Sequence, residues 1–267
     1  MDKIIGFIGL GNMASAMIGG MLQKNMVEPG SVIGFDVVGA AREKIKSNLN
    51  IDIATCNTEV ASKADFLFLA VKPIFLEEVI EEIKTSVRPE TVVVSIVAGK
   101  TIEFIEKAFD RTDCRIVRCM PNTPALVLEG CTGVCNNANV SKGELEEVLA
   151  LLGAFGKASV VPERLMDAVV GVSGSSPAYV FIFIEAMADA AVAAGMPRKQ
   201  AYEFAAQAVL GSAKMVLETG MHPGELKDMV CSPGGTTIDA VKVLEEKGLR
   251  AAVMSAMEVC IEKSKKL

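Results

Sequence analysis

Six residues, Gly9-Leu10-Gly11-Asn12-Met13-Ala14, stand between an apolar run, Lys3–Ile8, and a helix-forming segment that reaches Lys24. A Gly-x-Gly-x-x-Ala turn in that setting closes a strand and opens a helix, which commits the first unit of the chain to a βα crossover. Gly9 permits the tight turn, Gly11 leaves room for a pyrophosphate to approach the backbone, and Ala14 lets helix and strand pack closely. The free amides of the helix start then face an anion, with the macrodipole adding about 0.3–1 kcal/mol. By pattern alone a plain strand–turn–helix reads the same, but the strand before and the helix after favour a dinucleotide. Asp36 ends the second strand, where a carboxylate accepts ribose hydroxyls and repels a 2′-phosphate. An aspartate there can equally cap a helix or hold a turn, and nearby Arg42 would favour a 2′-phosphate, so both readings stay open.

Further runs rich in β-branched residues predict strands at Lys3–Ile8, Ser31–Phe35, Phe66–Val71, Thr91–Val97, Arg115–Cys119 and Thr132–Cys135. The first four are continuous apolar runs, as parallel strands covered on both faces require. Helices are predicted near Asn12–Lys24, Ala40–Leu49, Phe75–Ser86 and Ile102–Phe109. Such alternation means βαβ units and a doubly wound α/β sheet, whose C-terminal strand ends and loops gather at one ligand-binding edge. After Pro162 no strand is evident. Helical periodicity runs from Glu163 to Lys266, with breaks at Ser173–Pro177, Gly195–Pro197, Gly220–Gly224 and Ser232–Gly235. The chain therefore divides into 1–162, dinucleotide-binding, and 163–267, an all-α domain of four or five helices.

Composition narrows the function. A chain of 267 residues with 51% apolar residues buries enough surface to need no staple. The net charge is −6, and the longest basic cluster is Lys263-Ser264-Lys265-Lys266, so the footprint of a nucleic-acid binder is missing. The most apolar stretch, Ala178–Met196, carries Glu185 and Asp189, which argues for a helix buried in a core or subunit interface, not in a membrane. The seven cysteines form no C-x-x-C pair, so they read as reduced thiols of a cytoplasmic protein, without a metal site. No secretory leader is expected at the N-terminus.

Other candidate residues fall at strand ends and helix breaks. Val71-Lys72-Pro73 and Ala98-Gly99 follow strands, as does the rigid turn Met120-Pro121-Asn122-Thr123-Pro124. Lys72 would reach a cofactor or stay solvated. Ser232-Pro233-Gly234-Gly235-Thr236-Thr237-Ile238 precedes a clear helix, and its amides and hydroxyls suit a carboxylate. Ordinary capping by Ser and Thr is the other reading, though two glycines followed by two threonines exceed what a cap needs. The single histidine, His222, sits in a Gly-Met-His-Pro-Gly turn and reads as structural. Ketone chemistry needs a positioned acid or base, whereas a protonated imine already carries its proton. Imine reduction then asks mainly for orientation and exclusion of water.

Together, Gly6–Met17, Ala70–Pro73, Met120–Ala125, Gly171–Tyr179 and Ser232–Ala240 resemble the pyrroline-5-carboxylate reductases, over nearly the whole chain and in the family's order. The resemblance implies a Rossmann domain followed by a helical dimerisation domain, and reduction of 1-pyrroline-5-carboxylate to L-proline with NADPH or NADH. It implies homodimers through the C-terminal helices, able to assemble further into a decamer. Cofactor contacts would fall on Gly9, Leu10, Gly11, Asn12, Met13, Asn57, Val71, Lys72 and Ala98, with Asp36 beside them. The substrate would meet Ser232, Gly234, Gly235, Thr236 and Thr237, the last at the ring nitrogen, and Glu163 at the domain junction. Asp36 stands where the family often has Ser, Asn or Arg, and Met229 where some members have Asn. The β-hydroxyacid dehydrogenases share the fingerprint but need a catalytic lysine, and from Ser175 onward none occurs before Lys199. A non-catalytic nucleotide-sensing module is the alternative of a different class.

Overall fold

The computed structural model of the chain describes residues 3–266. β1 (Ile5–Ile8) leads through α1 (Asn12–Gln23) to β2 (Val32–Phe35), α2 (Gly39–Leu49) and a two-residue β3 (Asp52–Ile53). Next come α3 (Asn57–Lys63), β4 (Phe66–Leu69), α4 (Leu76–Ile83), β5 (Val92–Ser95), α5 (Ile102–Phe109) and β6 (Arg115–Met120). β7 (Gly130–Asn136), α6 (Lys142–Gly153) and β8 (Gly156–Val160) complete one sheet in the order β3-β2-β1-β4-β5-β6-β7-β8. Pairing is parallel except between β6 and β7. The six expected strands and four expected helices are present; β1, β2, β4, β5, α1 and α4 are shorter than expected, β6, β7 and α2 longer, and α5 has the expected bounds.

The apolar runs are continuous because alternate residues feed two cores. Phe7, Phe68, Val94 and Cys119 pack with α1 and α6 residues such as Met17 and Leu151 on one face. Leu67, Leu69, Val93 and Ile116 meet Val60, Ile80 and Ile105 of α3, α4 and α5 on the other. Phe7 and Phe68 stack with centroids 4.7 Å apart. The reversal of strand order between β1 and β4 places the fingerprint turn beside the end of β4, the switch point where such sheets bind ligands.

Four elements were not expected from the sequence: β3, β8, α3 and α6. β3 is too short to show a pattern, and β8, Gly-Lys-Ala-Ser-Val at the sheet edge, is largely exposed and has no apolar run. α6 was readable, since Ser141 and Glu144 form a reciprocal capping box at its start.

The described residues form two compact units, 3–175 with 260–266, and 176–259. After α7 (Met166–Val169), the expected break at Ser173–Pro177 takes the form of a π-helical turn and a bend at Ser175. The π-helical turn, Val170–Gly174, leads into α8 (Ser176–Ala193), and Ser175 N–H donates to the Val170 carbonyl at 2.8 Å. The wider turn absorbs the Gly/Ser stretch, and Pro177 falls in the first turn of α8, where its missing N–H costs nothing. α9 (Arg198–Thr219), α10 (Pro223–Val230), α11 (Thr236–Glu246) and α12 (Leu249–Ser264) follow the other expected breaks, with one more at Gly248, where φ is +74°. In the second unit α8 packs on α9, and only Ala188, Ala201 and Ala205 are buried. Phe181, Ile182, Phe183 and Phe204 stay exposed.

Candidate active site

The turn after β1 takes its form from Gly9, whose φ is +93° and whose N–H donates to the Phe35 carbonyl at 2.8 Å. A Cβ there would stand 2.5 Å from the Ala70 carbonyl oxygen, so the closeness of β1 to the end of β4 requires glycine. Gly11 caps α1 without a side-chain bond, and a Cβ on it would meet nothing within 4 Å. The first amides of α1 therefore open onto space that a diphosphate can fill, and the residues fit a dinucleotide.

A cavity of about 500 Å³ lies over these strand ends. It gathers Gly9, Gly11, Asp36, Asn57, Val71 and Lys72 from the expected cofactor residues. Leu10, Asn12, Met13 and Ala98 do not line it; Leu10 is buried, Asn12 exposed, and Met13 and Ala98 half-buried. Asp36 Oδ2 accepts from Leu10 N–H at 2.8 Å and Oδ1 from Val38 N–H at 2.9 Å. Buried Asn57 donates to Glu82 Oε2 at 2.7 Å, which ties α3 to α4. Sequence reasoning missed the wall that α4 supplies with Glu78 and Glu82, and missed Phe75 just before α4, Val37 and Val38. The helical spacing of Glu78 and Glu82 was visible, but nothing local said which face α4 turns to the cavity.

Glu163 does structural work in the first unit. Its Oε1 accepts from Ile102 N–H at 2.8 Å, at the start of α5, and from Arg118 Nη1 at 3.0 Å. The loop that carries Ala98 is thereby anchored at its far end. Asn122, also buried, donates to the Ser173 carbonyl at 2.9 Å and accepts from Cys131 N–H at 2.8 Å, which fixes the turn after β6. The thiol of Cys56, beside Asn57, is held below its ordinary range by a hydrogen bond with the Thr58 hydroxyl and then by the Glu59 amide.

In the second unit Ser232–Gly235 is a tight turn with Pro-Gly at its centre, closed by Gly235 N–H on the Ser232 carbonyl at 3.0 Å. Gly234 has φ +68°, which favours glycine. Gly235 caps α11 with no side-chain bond, so Thr236 and Thr237 begin a helix whose first amides have no side-chain cap. Ser232, Gly234 and Thr236 are exposed, and Gly235 and Thr237 half-buried. That arrangement can receive a carboxylate. His222 caps α10, its Nδ1 accepting from Gly224 N–H at 3.0 Å.

The chain is 55% identical to the pyrroline-5-carboxylate reductase of Escherichia coli (strain K12), an alignment that covers 100% of this chain and 99% of that protein. It belongs to the pyrroline-5-carboxylate reductase family. The model of the pyrroline-5-carboxylate reductase dimerisation domain matches residues 163–267, and one described as NADP oxidoreductase, coenzyme F420-dependent, matches residues 4–99. A solved pyrroline-5-carboxylate reductase from Coxiella burnetii superposes with TM-score 0.91 at 34% identity, covering 100% of this chain and 98% of that one. A Plasmodium falciparum pyrroline carboxylate reductase with NADP bound gives 0.90 at 32%, covering 99% and 98%. The chain is an NAD(P)H-dependent oxidoreductase with a Rossmann-like sheet and a dimerisation domain, and it oligomerises.

Proposed function

We propose that the chain reduces 1-pyrroline-5-carboxylate to L-proline with NADH or NADPH, the last step of proline biosynthesis. What carries the reading is the presence, in one member of this family, of both an open diphosphate-binding turn and the Ser232–Gly235 turn with its uncapped helix start. The bound nicotinamide supplies the hydride. Gly9, Leu10, Gly11, Asn12 and Met13 would hold the diphosphate, and Asp36, Asn57, Val71, Lys72 and Ala98 would complete the cofactor contacts. Ser232, Gly234, Gly235 and Thr236 hold the substrate carboxylate, the Thr237 hydroxyl orients the ring nitrogen, and Glu163 completes the substrate contacts away from the carboxylate. The iminium nitrogen arrives protonated, so no histidine or lysine acid is required.

In this reading residues 1–162 bind the dinucleotide, and 163–267 bind substrate and form a homodimer, with a decamer as a higher level of assembly. Glu163–Ala193 is helical, long and apolar enough to cross a membrane, and little buried in the single chain. A second copy covers it in our reading, since Asp189 pairs with Arg198 and the match to the dimerisation domain includes this stretch. A soluble cytoplasmic enzyme follows, with neither membrane nor nucleic acid as partner. The purified protein, given the imine with either nucleotide, should oxidise at least one of them, read at the nicotinamide absorbance band. Nucleotide binding without turnover would instead mark a sensing module.

A further inference from the structure

We propose that the cavity selects NADH over NADPH and that Asp36 sets the preference; this rests on the cavity being the cofactor site. Asp36 cannot swing aside, because Oδ2 is held by the Leu10 amide and Oδ1 by the Val38 amide. Each oxygen keeps a further lone pair, and two adjacent acceptors match the two hydroxyl donors of an unmodified ribose. A 2′-phosphate brings acceptors only, with a charge of about −1.5 to −2.

The surroundings offer that charge little. The wall from α4 adds Glu78 and Glu82, so among the described lining residues three carboxylates face one ammonium, Lys72. The positions after Asp36, where hydroxyl or amide side chains would receive a phosphate, are Val37 and Val38, 81% and 55% exposed and without a side-chain donor. Arg42, the cation that could answer, is already engaged, by the backbone of Asp36 and the ring of Phe35. Its Nη1 donates to the Asp36 main-chain carbonyl, its guanidinium lies 5.2 Å over the Phe35 ring, and it does not line the cavity. A phosphate would have to break both contacts and still stand against a fixed carboxylate.

Calorimetric titration of the purified full-length chain with NADH and NADPH tests the proposal. We expect NADH to bind at least about tenfold more tightly. Asp36→Ser keeps an oxygen for the Leu10 amide and removes the charge, so it should move the affinity ratio toward NADPH by about tenfold or more. Arg42→Ala should leave the ratio within about twofold. Equal or tighter NADPH binding by the wild type overturns the proposal, as does an unmoved ratio in a folded Asp36→Ser variant or a large loss of NADPH affinity in Arg42→Ala. If neither nucleotide binds, the reading of the cavity itself is wrong, a result distinct from both binding alike.

Discussion

Single residues in this chain differ in how far their type alone predicts their work. Gly9 is fully determined, because its positive φ and the Ala70 carbonyl 2.5 Å from any Cβ admit no side chain. Gly9→Ala should cost about 1–3 kcal/mol from the backbone alone and weaken nucleotide binding, seen as a lower Tm and a raised Kd for NADH. Unchanged values would mean that the turn can rearrange. Thr237 is less determined, since any small polar residue could begin α11. If its hydroxyl meets the reacting ring, Thr237→Ala lowers kcat/KM by about 1–3 kcal/mol, whereas wild-type kinetics would show that the amides suffice. For Glu163 the residue type said little. The sequence made it a carboxylate near a domain junction, and tertiary packing engages that carboxylate with Ile102 and Arg118.

Elements were legible where packing demands a simple pattern. A parallel strand covered on both faces must be apolar throughout, so β1, β2, β4 and β5 stood out, and an edge strand such as β8 had no such demand. The covered strands also bury ionisable groups. Burial pushes the Cys135 thiol of β7 up to about 11, with Glu163 adding to the rise, and pushes Cys119 of β6 up as well. A raised pKa favours the protonated thiol in the folded state, so this stabilisation is whole below the ordinary thiol value of 9.0 and is lost as pH rises toward about 11. The urea midpoint should fall across that window, and fall less in a Cys119→Ala/Cys135→Ala variant. A midpoint equally pH-dependent in both proteins would move the cause elsewhere.

At the scale of the whole molecule, the second unit is not self-sufficient. Three buried alanines are a small core for a unit of helices that exposes Phe181, Ile182, Phe183 and Phe204. A charge on that surface should prevent association, so Phe181→Glu is expected to lower the mass measured by light scattering to that of a monomer, or to make the chain aggregate. A variant of unchanged mass and solubility would place the interface on other helices. The wild type should remain in aqueous solution without detergent.

By itself the sequence determined the crossover, the doubly wound order of units, the helical C-terminal part and the family, because each follows from local periodicity or from residues that a motif requires. Tertiary structure decided which distant groups meet. Asp36 meets Leu10 across 26 residues, Asn57 meets Glu82 across 25, and Glu163 meets Arg118 across 45. Such pairings depend on strand order and on the face each helix turns inward, and no window of sequence contains them.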